Sequence, residues 1–193
     1  GVQTCALPIY QLLDSLLADH LGATLMAERQ PFMPLPASAA STLIAGIGSP
    51  FGDDRAGWIA AAQLEAKLLP ASVVALRSPA ELLDRLDGIH CLHVIDACRS
   101  GQAPGMTFRI KWPAPELDAI AFSGTHDMSL TAALRLAEAL QQLPPQVVIW
   151  AIELSDEFNP VAALSDNDAS LNSAIESAIT EVNRRICHEL TAS

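Results

Sequence analysis

The chain has 193 residues, of which 50% are hydrophobic, so it is long enough for one domain with a substantial buried core. No apolar run reaches the length of a membrane-spanning helix, and the net charge of −11 disfavours nucleic acid and anionic membranes as partners. The four cysteines form no C-x-x-C pair, which argues against a zinc knuckle or a thioredoxin-type motif, and their scattered positions suggest a reducing compartment.

Residues 1–40 are predicted to lie outside the main domain. Residues 1–9, GVQTCALPI, match the translation of a common short-read sequencing adapter, so we interpret them as an assembly artefact. Residues 10–40 combine leucines at helical spacing with a proline-containing stretch typical of a linker, and the sequence leaves open whether this extension belongs to the native protein. The predicted domain therefore covers residues 41–190.

A strand, a glycine loop, two acids and a helix follow one another at the start of this domain. Residues 42–47 form a short apolar run that predicts a buried strand. Gly46 and Gly48 then allow a tight turn and a close approach to a neighbouring segment or a ligand. Asp53 and Asp54 stand where the next helix begins. The residues that follow them at helical spacing are Ile59, Ala62, Ala66 and Leu69, which predicts that these form the buried face of the helix.

This glycine loop differs from a nucleotide-binding loop in its spacing and in its charge. Its glycines follow the pattern G-x-G-x-x-x-G, and no Lys-Ser/Thr pair comes after them. Two acids at the start of a helix repel phosphate and attract a cation, so we predict no nucleotide cofactor. Capping of the helix is the alternative role for Asp53 and Asp54, but one carboxylate suffices as a cap. The second acid therefore needs another explanation.

Strands and helices alternate along the rest of the chain. A second strand is predicted at residues 72–76 and a short helix at 78–86, where Ser78 and Glu81 form a capping box. A third strand at 89–95 ends at Asp96. The later predicted elements are an edge strand at 107–112, an extended segment at 119–122, a helix at 129–142, a strand at 146–154 and a helix at 169–190. This order predicts an α/β three-layer sandwich, with a mostly parallel twisted sheet of about five strands and helices on both faces.

Two further polar residues stand where ligands bind in such sheets. Asp96 follows the third strand, and His126 lies in a loop before a helix. Because the carboxyl ends of parallel strands meet at one edge, Asp54, Asp96 and His126 are expected to come together there, and their oxygen and nitrogen atoms suit nickel or zinc. On the residues alone, Asp96 can equally tie down its loop, and His126 can be a surface or capping histidine.

Three other polar side chains are weighed against structural roles. Glu153 ends a predicted strand and either faces the cleft or caps the sheet edge, and we favour the edge. Cys98 lies two residues after Asp96, where we consider a catalytic thiol and do not favour it. His93 lies within a strand and is interpreted as a partly buried imidazole with a hydrogen-bond partner rather than as a ligand.

The stretch GIGSPFGDDRAGW, residues 46–58, resembles the N-terminal signature of the [NiFe]-hydrogenase maturation proteases, with Ser49 where asparagine is usual. The I-D-A context of Asp96 and the S-x-x-H spelling at His126 resemble the two later landmarks of that family. The resemblance implies that Asp54, Asp96 and His126 bind nickel carried by the substrate, and that the loop is shaped by four glycines: Gly46, Gly48, Gly52 and Gly57. It leaves the catalytic residue unassigned, with Asp53 and Asp54 as the candidates.

The function implied by the resemblance is that of a cytoplasmic hydrolase, an aspartyl-type endopeptidase. It removes the C-terminal extension of a nickel-loaded hydrogenase large-subunit precursor, with no nucleic acid or membrane as a partner. The alternative is a non-catalytic metal-binding or chaperone-like protein of the same fold, which differs in leaving the precursor uncut. A nucleotide-binding α/β protein is the third interpretation, and saturable binding of ATP or NAD would identify it.

Overall fold

One six-stranded mixed sheet organises the part of the chain that the computed structural model describes, namely residues 41–50, 52–67, 69–122, 128–155 and 171–192. The strands are β1 (Thr42–Ile47), β2 (Ser72–Leu76), β3 (Cys91–Arg99), β4 (Thr107–Lys111), β5 (Ala121–Phe122) and β6 (Gln146–Glu153). The α-helices are α1 (Ala56–Glu65), α2 (Leu130–Ala139) and α3 (Ser173–Thr191), and short 3-10 helices cover Gly52–Arg55, Pro79–Arg85 and Pro115–Ala119.

The central strands of the sheet run parallel, and their order is β2-β1-β3-β6-β4. β1 pairs in parallel with β2 and β3, and β3 pairs in parallel with β6. β4 runs antiparallel along β6 at the edge, while β5 pairs antiparallel with Cys98 and Arg99 at the end of β3. The carboxyl ends of β1, β2, β3 and β6 therefore lie at one edge of the sheet, where ligands bind in open α/β folds.

Two apolar cores lie on the two faces of this sheet, because successive side chains of a strand point to opposite faces. The first core joins β1, β3 and β6 to α2 and to the 3-10 helices at Pro79–Arg85 and Pro115–Ala119, and it includes Leu43, Val94, Ile149, Leu82, Leu117 and Leu134. The second joins the same strands to α1 and α3, and it includes Ile44, Ile95, Trp150, Leu64, Ile179 and Ile186. The three-layer α/β fold expected from the sequence is confirmed, with six strands in place of about five.

The third strand differs from its predicted limits. β3 spans Cys91–Arg99, so it continues past Asp96 instead of ending there. Pairing with β1 stops at Ile95, but β6 continues alongside, so that Asp96 pairs with Ala151 and Cys98 with Glu153. Asp96 therefore lies inside β3, one residue beyond the last pair with β1.

The buried face of α1 also differs from the predicted one. The buried residues are Ala56, Gly57, Ala60, Ala61 and Leu64. Of the residues predicted to be buried, Ala62 and Ala66 are exposed, and Ile59 and Leu69 are half-buried. The helix itself carries small and apolar residues on most of its sides, so its periodicity selects no buried face. The close contact of Gly57 with β1 sets the rotation instead.

The predicted artefact at residues 1–9 and the predicted extension at 10–40 lie outside the described residues, so the domain limits stay a prediction. In the part of the chain that the structure describes, none of the helices has the length and apolar character needed to cross a bilayer.

Candidate functional site

Close backbone packing between β1 and α1 places the start of α1 beside the carboxyl edge of the sheet. A Cβ atom on Gly46 would lie 2.1 Å from the Gly57 carbonyl oxygen, and one on Gly57 would lie 2.0 Å from the Ile47 carbonyl oxygen. Only glycine fits at either position, because such distances are far below van der Waals contact. The predicted close approach at Gly46 is thus present, and its partner is the helix that follows.

The predicted acids lie in a 3-10 turn between β1 and α1. Gly52–Arg55 forms this turn, and Gly52 has a positive φ of 55°, which favours glycine. The Ser49 N–H donates to the Asp54 carbonyl at 3.3 Å. A Cβ on Gly48 would lie 2.3 Å from that same carbonyl oxygen. The backbone of Asp54 is therefore packed directly onto the end of β1.

Neither acid occupies the N-cap position of α1, which was the alternative role considered for them. The N-cap residue is Arg55, and its side chain makes no capping hydrogen bond. The Asp53 Oδ1 atom instead accepts a hydrogen bond of 3.3 Å from the Asn172 N–H at the start of α3. Burial raises the pKa of Asp96, and the charge of Asp54 adds to that shift. The two neighbouring acids thus have different surroundings.

Asp96 is a fully buried carboxylate with one unused oxygen. Its side chain is 0% exposed, its Oδ1 atom accepts the Ala97 N–H at 2.8 Å, and its Oδ2 atom has no partner among the described residues. Burial raises the pKa of Asp96 well above its usual value, the charge of Asp54 adds to this, and the Ala97 N–H opposes it. A buried acid in this state is expected at a functional site rather than in a structural tie.

A cleft of about 570 Å³ reaches Asp96 from the surface. Its wall is about half apolar, and the apolar side chains come from the 3-10 helix at Pro115–Ala119, β5 and the start of α2: Leu117, Ile120, Phe122, Met128 and Leu130. At its rim, Arg135 Nη2 donates to both carboxylate oxygens of Asp118 at 3.0 and 2.9 Å. The cleft combines apolar side chains with several polar groups, as binding sites for organic ligands commonly do.

Glu153 is a second buried acid, and sequence reasoning did not identify its hydrogen-bond partners. It is 0% exposed. Its carboxylate accepts the Ser100 O–H at 2.6 Å and backbone N–H groups of Ser100, Gly101 and Gln102 at 2.8, 3.0 and 3.2 Å. Burial acts to raise the pKa of Glu153, but the hydrogen bonds outweigh it, so the pKa lies below its usual value. Glu153 therefore holds the loop after β3 and does not face the cleft.

The cysteine and histidine near these acids are structural. The Cys98 thiol is buried and lies 3.5 Å from Glu153 Oε2. Burial raises the pKa of this thiol far above its usual value and the charge of Glu153 adds to the shift, so Cys98 is a poor nucleophile. His93 is 3% exposed, and its Nδ1 atom accepts the Trp150 Nε1–H at 3.1 Å, in agreement with its interpretation as a bonded imidazole.

Of the three predicted metal ligands, the structure describes two. Asp54 lies in the turn after β1 and Asp96 lies in β3 just past its last pair with β1, so both are at the same edge of the sheet. His126 lies outside the described residues, so the predicted triad stays a prediction. Within the described ranges, no group of three or more His, Cys, Asp and Glu side chains is arranged to hold a metal ion.

No protein-family model matches the sequence, and no curated protein matches it. Solved structures do match. The [NiFe] hydrogenase maturation protease HybD from Thermococcus kodakarensis shares 22% identity over 76% of this chain and 99% of its own, with a TM-score of 0.53. The hydrogenase maturating endopeptidase HybD from Escherichia coli shares 16% identity over 79% of this chain and 93% of its own, with a TM-score of 0.57.

A third match is the maturation protease HycI from Thermococcus kodakarensis, at 15% identity over 79% of this chain and 93% of its own, with a TM-score of 0.58. At these identities the likeness establishes the fold. The described domain has the fold of the hydrogenase maturation proteases, so the resemblance read from residues 46–58 is confirmed at that level.

Proposed function

We propose that this protein is an endopeptidase that removes the C-terminal extension of a nickel-loaded [NiFe]-hydrogenase large-subunit precursor. The observation that carries the proposal is Asp96, a buried carboxylate with an unused Oδ2 atom at a cleft and with Asp54 beside it. An unpaired buried acid next to a second acid destabilises a fold unless a cation offsets the charge. The fold is shared with hydrogenase maturation proteases, and this likeness is the reason for proposing nickel as the cation and a hydrogenase precursor as the substrate.

The nickel is proposed to be carried by the substrate. Asp54 and Asp96 offer carboxylate oxygens at one edge of the sheet, and His126 follows β5 and precedes α2 in the sequence. Carboxylate and imidazole ligands suit a divalent ion such as nickel, and a set of three protein ligands leaves positions open for the groups of the precursor. In this proposal Asp54, Asp96 and His126 detect the metal in the precursor, which makes cleavage depend on prior loading.

The cleft at Asp96 fits an extended peptide segment beside the metal. The apolar side chains of Leu117, Phe122 and Leu130 line its wall. Burial of apolar substrate side chains there contributes binding energy, while the nearby acids contact the metal. The cleavage point is therefore proposed to lie within one or two residues of the metal-binding residues of the precursor.

The chemical step is hydrolysis of a peptide bond. Water adds to the scissile carbonyl carbon, the C–N bond breaks, and the leaving amine takes up a proton. The substrate metal can polarise the carbonyl, and Asp54 can accept the proton of the attacking water. Cys98 is not the nucleophile, because its thiol is buried and its pKa is raised.

The test is cleavage of a purified, nickel-loaded precursor by the wild-type protein and by matched variants. We expect Asp54→Asn and Asp96→Asn to lower the cleavage rate at least about 100-fold, because each removes a charge that acts at the reacting centre. Asp87→Asn is the control, since Asp87 is exposed and precedes the opposite end of β3. Full activity of Asp96→Asn would overturn the proposal. Binding of the loaded precursor without loss of its tail would favour the chaperone-like alternative.

A further inference from the structure

Asp53 and Asp54 are adjacent in sequence, but they contact different parts of the fold. The Asp53 carboxylate accepts the N–H of Asn172 at 3.3 Å, and Asn172 is the N-cap residue of α3. Asp54 lies in the turn that follows β1, and its carbonyl accepts the Ser49 N–H at 3.3 Å. One acid therefore contacts the C-terminal helix, and the other belongs to the edge with Asp96.

The helix that Asp53 contacts is anchored in the second core. α3 has 19 residues, and it buries Ile175, Ile179, Val182 and Ile186 against the second core. Its first turn is also fixed, because the Ala174 N–H donates to the Asn172 side chain at 2.9 Å. A carboxylate at the N-terminus of a helix interacts favourably with the helix dipole as well as with the free N–H.

The contact between Asp53 and α3 differs in range from the hydrogen bonds that shape the turn itself. The Arg55 Nε atom donates to the Gly52 carbonyl at 3.0 Å, and the Ser49 N–H donates to the Asp54 carbonyl at 3.3 Å. Both of these bonds stay within a few residues. The Asp53–Asn172 bond spans 119 residues, so it joins the turn to another layer of the fold.

We propose that Asp53 is a positioning residue: it fixes the Gly52–Arg55 turn to the start of α3, so that Asp54 stays at the edge of the sheet where Asp96 lies, and it is not the general base. This inference rests on the proposed function for the role of Asp54. Of the two candidates for the catalytic role, Asp53 then positions the turn and Asp54 acts at the reacting centre. A carboxylate that accepts a backbone N–H in this position works through an oxygen acceptor, which an asparagine side chain also has.

The conservative variant separates the two roles. Asp53→Asn keeps an oxygen acceptor for the Asn172 N–H, and we expect its kcat for precursor cleavage to stay within about fivefold of wild type. Asp53→Ala removes the acceptor and is expected to lower kcat by about tenfold or more with KM changed much less. Asp54→Asn is expected to be far less active than Asp53→Asn. Equal inactivity of Asp53→Asn and Asp54→Asn, with the Asn172 amide still protected, would show that Asp53 takes part in the chemistry and overturn the inference.

Amide hydrogen exchange tests the hydrogen bond between Asp53 and Asn172 without any substrate. In Asp53→Ala, the amides of Asn172 and Ser49 should exchange about tenfold faster than in wild type, while Asp53→Asn should keep their protection. Unchanged exchange at Ser49 in Asp53→Ala would overturn the inference, because the turn would not depend on Asp53. If the wild-type protein cleaves no precursor, the proposed function fails, and the exchange measurement still decides whether Asp53 holds the turn.

Discussion

The carboxylate of Asp96 is fully buried, and its Oδ2 atom has no hydrogen-bond partner among the described residues. In the absence of a cation, this arrangement costs folding free energy, because the acid has lost its water and lies near the charge of Asp54. The same features favour binding of a metal ion. A residue of this kind is expected to improve function and to lower the stability of the metal-free protein.

Asp96→Asn should therefore raise the free energy of unfolding of the metal-free protein by about 1 to 3 kcal/mol at pH 7. The amide keeps an oxygen for the Ala97 N–H and carries no charge next to Asp54. Because folding raises the pKa of Asp96, its cost begins above the unfolded value near 3.8 and is complete above the folded value, so the two proteins should converge as the pH falls from the folded value towards 3.8. Urea unfolding measures the difference, and a variant less stable than wild type at pH 7 would contradict this account.

Glu153 stabilises the fold, in contrast to Asp96, because its buried carboxylate accepts several hydrogen bonds. Glu153→Gln replaces one acceptor oxygen by an NH₂ group that faces backbone N–H donors, so we expect a loss of about 2 to 4 kcal/mol in the free energy of unfolding. The pKa of Glu153 is lowered by folding. Its stabilising effect is therefore present above the unfolded pKa near 4.5 and is lost as the pH falls through the folded value.

Guanidinium unfolding at pH 7 and at pH 4 tests this prediction. The difference between wild type and Glu153→Gln should be smaller at pH 4. Glu138→Gln is the matched control, because Glu138 is exposed on α2, and it should change the stability by less than about 0.5 kcal/mol. Equal effects of the two substitutions would show that Glu153 does not hold the loop.

At the scale of elements, the contact between α1 and β1 determines the position of the Gly52–Arg55 turn. Gly57→Ala would place a Cβ atom 2.0 Å from the Ile47 carbonyl oxygen and 2.8 Å from the Ile95 carbonyl oxygen. The helix has to move away from the sheet, so we expect a loss of about 3 kcal/mol in stability together with a loss of cleavage activity. Chemical unfolding and the cleavage rate measure both effects.

Gly88→Ala is the control for this substitution. Gly88 has a φ of 70°, and among the described residues no atom lies within 4 Å of the place that a Cβ would take there. Alanine at this position therefore adds only backbone strain of about 1 kcal/mol. Its cleavage rate should match that of wild type, because Gly88 lies before β3, away from the carboxyl edge. A Gly57→Ala protein as stable as Gly88→Ala would contradict the close packing of α1.

The elements themselves could be read from the sequence to different extents. The strand at Thr42–Ile47 and the capping box at Ser78 were predicted correctly, because the signal in each lies within a few residues. The end of β3 and the buried face of α1 were wrong. Both depend on partners elsewhere in the chain: β6 and β5 extend β3, and the contact of Gly57 with β1 sets the rotation of α1.

At the scale of the whole molecule, the parallel order of β1, β3 and β6 brings the site acids to one edge. The sequence predicted this for Asp54 and Asp96 from topology rules and from the family resemblance. It could not predict the contacts of Asp53 and Glu153, because their partners are contributed by the start of α3 and by the loop after β3. Such partners become visible only once the chain is folded.

Nickel in the precursor is proposed to permit cleavage by this protein. The intact mass of a hydrogenase large-subunit precursor, loaded with nickel or free of nickel, before and after mixing with the wild-type protein tests this. We expect loss of a C-terminal peptide from the loaded precursor and no change in the nickel-free one. Equal cleavage of both forms would contradict the metal dependence, and cleavage of neither would contradict the peptidase function.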